Sequence, residues 1–177
     1  MALNETVSAG VEGHISDHRV IHTHVNAWDG YGPSDFGRQL AAVRTTTAAR
    51  VNDTTLVADD VLAVPVIASK NYLFELVLFY DADVAGDLKF SFSIPSGAAI
   101  DYVWDGPGGD STGHSQAGDT QTADGSGTGS YKTVRVKGVL RVATTAGTFA
   151  LTWGQGTSSA VASRLTAGSM ICVREIG

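Results

Sequence analysis

Cysteine is all but missing from this chain: Cys172 is the single one among 177 residues. One thiol closes no internal disulfide and shows no zinc-type spacing with a second, so a secreted disulfide scaffold is excluded. Basic residues are also few, 12 Lys and Arg against 18 Asp and Glu, and the formal charge of −6 has the wrong sign for gripping phosphate backbones. Nucleic acid is therefore not expected as a partner. No run of 18 apolar residues exists, and Met1-Ala2-Leu3-Asn4-Glu5 lacks the basic region and apolar stretch of a signal peptide. The expectation is a chain made in a cytoplasm, without a membrane partner. Charged residues are only 17% of the total, too few for long solvated helices, whereas 21 glycines suit short strands joined by tight turns.

The length allows one full domain, with roughly 25 to 50 residues left for an arm or extension. A domain of that size buries roughly 70% of the surface of its unfolded chain, so it needs no covalent or metal staple. Residues 1–42 read as the arm. They hold four of the five histidines and the helical pattern of Ile15-Ser16-Asp17-His18-Arg19-Val20-Ile21-His22-Thr23-His24-Val25-Asn26-Ala27-Trp28. Ser16 can cap this helix, Asp17 suits the dipole of its first turn, and Ile15 with Val20 form a hydrophobic staple. Ile21, Val25 and Trp28 follow at spacings of four and three as one apolar stripe, which Asp29-Gly30 and Gly32-Pro33 terminate. A helix of ~12 residues is marginal alone, so its stripe must pack on the domain behind it or on another protein.

From residue 43 to 177 the period is two. Strands are expected at 44–50, 61–66, 72–80, 88–94, 99–104, 131–143, 148–153, 161–166 and 170–175. Pro65 places its strand at an edge or end, and Tyr72–Tyr80, apolar on nearly both faces, reads as a central strand covered on each side. Turn signals this close together imply an all-β antiparallel sandwich, best matched by a jelly roll. Asp105–Ser130 interrupts the rhythm with 26 Gly-, Ser-, Thr-, Asp- and Gln-rich residues and reads as a long exposed loop.

Chemistry-bearing motifs are sparse. Gly113-His114-Ser115-Gln116-Ala117 superficially matches a nucleophile elbow, but neither the strand nor the helix that must flank such a serine is present. His14, His18 and His22 recur every four residues. Because a helical turn rises ~5.4 Å, three such imidazoles cannot converge on one ion; a pair could, or one from each subunit of a trimer, but polar contacts at a protein interface fit better. Asp105, Asp110, Asp119 and Asp124 could offer oxygens to calcium, without the alternation and closing Glu of an EF-hand-type loop. Trp104, Tyr131 and Trp153 sit at strand ends, where they could stack on sugars or fill the core. Gly125–Gly129 lacks the Lys-Ser/Thr pair and preceding strand of a phosphate loop. No general acid and base come together, so no enzyme activity and no cofactor are expected.

The segment Gly13–Asn26, with its Asp-His-x-x-Ile-His-x-x-x-Asn core, resembles short N-terminal segments of virion proteins from tailed phages of actinobacteria. The rest resembles a domain recurring in such proteins, through Thr55–Val66, Tyr72–Ala82, Ala146–Gln155 and Ala167–Ser169. The strand order also resembles trimeric jelly rolls of the tumour-necrosis-factor and complement-C1q type. The resemblance implies a structural virion protein. A homotrimeric capsid decoration protein on the outside of the assembled head is the first reading. A small tail or fibre-tip protein binding host glycans is the alternative. The arm would then attach to the major capsid protein, Ile21, Val25 and Trp28 giving apolar contact and His18, His22 and Asn26 polar contact. Residues 105–130 would stay exposed and dispensable for folding.

Overall fold

The computed structural model describes residues 39–109 and 113–176. The arm helix, its six contact residues His18, Ile21, His22, Val25, Asn26 and Trp28, and Asp110 lie outside the described residues. No α-helix occurs among those described, and none is long and apolar enough to cross a membrane. Twelve strands form the body: β1 (Gln39–Val43), β2 (Ala48–Arg50), β3 (Val57–Val66), β4 (Asn71–Asp81), β5 (Leu88–Ser93), β6 (Ala99–Asp105), β7 (Ser115–Gln116), β8 (Gln121–Ala123), β9 (Lys132–Arg141), β10 (Gly147–Gly154), β11 (Ser163–Leu165) and β12 (Met170–Glu175). Among the described residues the first strand is Gln39–Val43, and the expected strand over 44–50 is confined to its end.

All pairings are antiparallel, in two sheets. The larger runs β1-β12-β4-β9-β6-β7, with β11 continuing the line of β12 against β4 and β2 lying beside β11. The smaller runs β3-β10-β5-β8. Pro65 sits on β3, an edge strand, where its missing N–H costs no ladder bond.

β4 is central, paired with β9 over Asn71–Tyr80 and with β12 over Tyr72–Val77. It alternates strictly. Tyr72, Phe74, Leu76, Leu78 and Tyr80 point into the core and are almost wholly buried, whereas Leu73 and Phe79 on the other face are 38% and 40% exposed. The expectation of cover on both faces is therefore corrected. Leu73, Val77 and Phe79 are apolar, yet they lie on a face that no second layer of this body covers. Between the sheets Phe74, Phe92, Phe149 and Tyr102 meet mostly edge to face, as do Phe90 and Trp104. Gly138, on the inner side of β9, makes room for this cluster: a Cβ there would lie 2.6 Å from the Phe74 ring and collide with the Asp101 carbonyl.

One buried ion pair ties the sheets together. β3 and β10 pair Ala63 with Ala150 and Ala58 with Thr152, so Asp59–Leu62 bulges opposite Leu151 alone. The bulge turns the Asp59 carboxylate inward, and it accepts bonds from the amides of Val61 (3.0 Å) and Leu62 (2.8 Å), which the ladder cannot serve. It also accepts from Trp153 Nε1 on β10 (2.9 Å) and, with both oxygens, from Arg44 Nη2 just beyond β1 (2.9 Å each). Burial alone would raise the Asp59 pKa; the Leu62 amide, Arg44 and the Val61 amide outweigh it and hold the carboxyl below its ordinary range.

Candidate functional site

The segment expected to be a featureless loop is partly built into the sandwich. β7 joins the open edge of the large sheet beside β6, and β8 joins the edge of the small sheet beside β5. Ser115 and Ala123 are buried. Gln121 is the hub: its Oε1 accepts from Trp104 Nε1 (2.9 Å), and its Nε2 donates to Ser115 Oγ (3.0 Å) and Tyr102 Oη (3.3 Å). Burial pushes the Tyr102 phenol upward. Asp119 closes the turn between the two strands, its carboxylate accepting from the Gln116 amide (2.7 Å) and its carbonyl from Ser91 Oγ of β5 (2.7 Å). Composition hid this, because Ser, Gln and Ala in a polar run carry no periodicity, and only their partners on Trp104 and β5 give them a structural role.

Beyond β8 the glycine run lies against the end of β4. The amides of Ser126 and Gly127 both donate to Ala82 O (3.1 Å each), that of Gly125 to Asp87 Oδ1 (2.8 Å), and that of Gly129 to Asp81 Oδ1 (3.0 Å). Those amides are committed internally and do not form a phosphate cradle. Gly125 is required here, since a Cβ would collide with the Asp83 carbonyl. Tyr80 Oη donates to Asp124 O (2.6 Å), and burial pushes its phenol well above the ordinary range.

Each motif of the sequence can now be placed. Trp153 and Trp104 are core residues, 1% and 7% exposed, so of the three aromatics considered for sugar stacking only Tyr131, at 68%, faces solvent. His114 and Ser115 are successive residues of an extended segment and point to opposite sides. His114 Nε2 meets Asp101 Oδ1 (2.8 Å) on the outside, while Ser115 Oγ turns inward to Gln121, so they form no nucleophile–base pair. Among the described residues no three acidic, histidine or cysteine side chains converge to hold a metal ion; Asp105, Asp119 and Asp124 do not assemble a calcium site.

What the body does present is the outer face of the large sheet. Register places Gln39, Arg174, Leu73, Val139 and Asp101 in one row across β1, β12, β4, β9 and β6. Cys172, Glu75, Lys137 and Val103 form the next, and Val43, Met170, Val77, Arg135 and Asp105 the third. The β9 side is ion-paired: Lys137 Nζ lies 3.2 Å from Glu75, Arg141 bonds Asp101, and Arg135 stands opposite Asp105. The Arg141 and His114 bonds hold the Asp101 carboxyl below its ordinary range. A depression of about 280 Å³ opens between Gln39, Leu73, Glu75, Cys172 and Arg174, and Gln39 Nε2 donates to the Cys172 sulfur (3.3 Å). The arrangement offers mixed apolar and charged contact over a flat area, the chemistry of a protein interface.

No protein-family model matches the chain, and no curated protein matches it. Among solved structures it is similar to a chain in the structure of infectious bursal disease virus Gx strain, at 9% identity and a TM-score of 0.26, over 78% of this chain and 40% of that one. The chain spans well under half the length of that relative, and a likeness at this TM-score carries no argument about role.

Proposed function

We propose that this protein is a structural, non-catalytic component of a phage particle: a capsid decoration protein, bound through its N-terminal arm to the major capsid protein on the outside of the assembled head. The observation that carries the reading is the strand order. β1-β12-β4-β9 against β3-β10-β5-β8 supports a jelly-roll reading, in which paired Greek keys wind eight strands into two sheets, with the β6–β7 hairpin added at one edge. Jelly rolls recur in viral capsids and in lectins. The lectin-like alternative, a tail-tip protein stacking on host glycans, loses two of its three aromatics to the core. The acidic charge suits an exterior surface better than a DNA-filled interior. Self-association into a homotrimer through the jelly-roll bodies belongs to the same reading. Labelling the protein on intact particles tests it: signal over the head surface is expected, and signal confined to the tail tip overturns it. Removing residues 1–38, which stops short of β1, should abolish particle binding.

A further inference from the structure

The outer face of the large sheet is two half-faces of different chemistry. Its β9 and β6 side carries the Lys137–Glu75 and Arg141–Asp101 ion pairs, with Val103 and Val139 set singly among those charges. On its β1, β12 and β4 side the row Val43–Met170–Val77 crosses three adjacent strands, with Phe79 next to Val77 along β4 and Leu73 set apart on the other side by Glu75. Val43 is half exposed, and Phe79 and Leu73 are nearly as open. Single exposed apolar residues need no explanation, but a contiguous set rimmed by polar groups marks a contact surface. We infer that this half-face is where a second copy of this chain docks.

Charge selects that occupant. The chain as a whole is acidic, with 12 Lys and Arg against 18 Asp and Glu, so two copies meeting at an arbitrary side repel each other. This face is the exception. Arg135, Lys137, Arg141 and Arg174 stand on it against Glu75, Asp101 and Asp105, one cation in excess. The extra cation is Arg174, whose cross-strand neighbours are Leu73 and Gln39 and not an acid. It stands beside Leu73, two rows from Val43–Met170–Val77 with the Cys172–Glu75 row between, and offers a positive contact to an acidic copy. The depression beside Arg174 has room for a side chain from that copy, and it places the only thiol of the chain, Cys172, at the contact.

The inference rests on the self-association reading above and names the surface that performs it. Cys172 is a built-in reporter. The full chain is followed by light scattering from ~1 to ~100 μM, and Cys172 alkylation rates are measured at the same concentrations. Association should rise with concentration, and alkylation should slow ~10-fold or more as the thiol becomes covered. Val77→Glu should leave a folded monomer, because the new carboxylate faces Arg135 across the strand pair, and its Cys172 should react at one rate throughout. Val43→Glu, on β1, is the second variant should the first fail to fold. An associated wild type whose state and thiol reactivity are unchanged by both substitutions overturns this surface while self-association stands. A wild type that is monomeric at every concentration overturns both.

Discussion

The buried Asp59 knot makes the sharpest demand on the fold. Asp59→Ala removes a carboxylate with only 1% of its side chain exposed, deprives the Trp153 indole N–H and the amides of Val61 and Leu62 of their acceptor, and leaves the Arg44 guanidinium only Thr46 O and the exposed Asp60 carboxylate. Arg44 is itself 5% exposed, so its charge cannot swing into water without opening the gap between β1 and β3. Removing one partner of a buried pair costs roughly 3–5 kcal/mol, a large part of the 5–15 kcal/mol that holds an ordinary domain together. At roughly 3 °C per kcal/mol for a body of this size, Asp59→Ala should lower the melting temperature by about 10–15 °C. Arg44→Met should cost less, because Asp59 keeps its two amides and the indole. The double variant should be more stable than the sum of the single losses implies, with a coupling of about 2 kcal/mol in urea unfolding. The pH dependence has a fixed sign. A carboxyl whose folded pKa lies below its unfolded value contributes stability above about pH 4, and that contribution is lost as pH falls further into the acid range. Asp59→Asn should flatten this limb of the stability profile. An Asp59→Ala loss under about 1 kcal/mol, or strictly additive losses in the cycle, would refute the view that this knot joins the sheets.

Three further outcomes follow from the packing. Gly138→Ala should cost about 1–3 kcal/mol by urea unfolding, because its Cβ must displace the Phe74 ring and the Asp101 carbonyl in a filled core. Tyr80→Phe should cost about 1 kcal/mol and speed amide exchange at Gly125 and Ser126, since the phenol anchors Asp124 at the root of that run. Replacing residues 113–126 by a Gly-Ser linker should cost more than ~2 kcal/mol, against ~1 kcal/mol or less for a pure change in loop length, because Trp104 loses Gln121 and the core loses Ala123. An unchanged melting temperature in that last variant would return the segment to the status of a spacer.

The strands over 72–80, 88–94 and 170–175 were readable because alternation is imposed by a single buried face and needs no knowledge of the partner. Pro65 told its own place for the same local reason. The reading went astray where identity and direction part company. Leu73, Val77 and Phe79 are as apolar as Leu76 and Leu78, but their odd positions aim them away from the core. It fell silent where polar residues were recruited by distant ones. Gln121 looks like any other residue of a Gly-Ser-Thr run until Trp104 is set beside it, and nothing near Arg44 in sequence announces Asp59. One local hint existed: an Asp two and three residues ahead of Val61 and Leu62 can take their amides, the signature of a side-chain-closed turn within a strand. The candidate contact surface was legible as apolar excess on one strand, and its division into paired and unpaired halves required the register.

The short strands β7 and β8 also bear on what the sheets can do to one another in a crowded solution. An unprotected sheet edge is a template on which any other chain can add a strand, and runaway addition ends in aggregates. Here one flank of each sheet finishes in a strand of two or three residues, joined by a turn that Asp119 and Ser91 lock across the gap, so no long row of free amides remains to copy. At the opposite flank of the small sheet, β3 carries the bulge, the exposed Asp60 and Pro65, each of which spoils a regular ladder. Copies of this chain packed at high local density are thereby steered away from joining through these three edges.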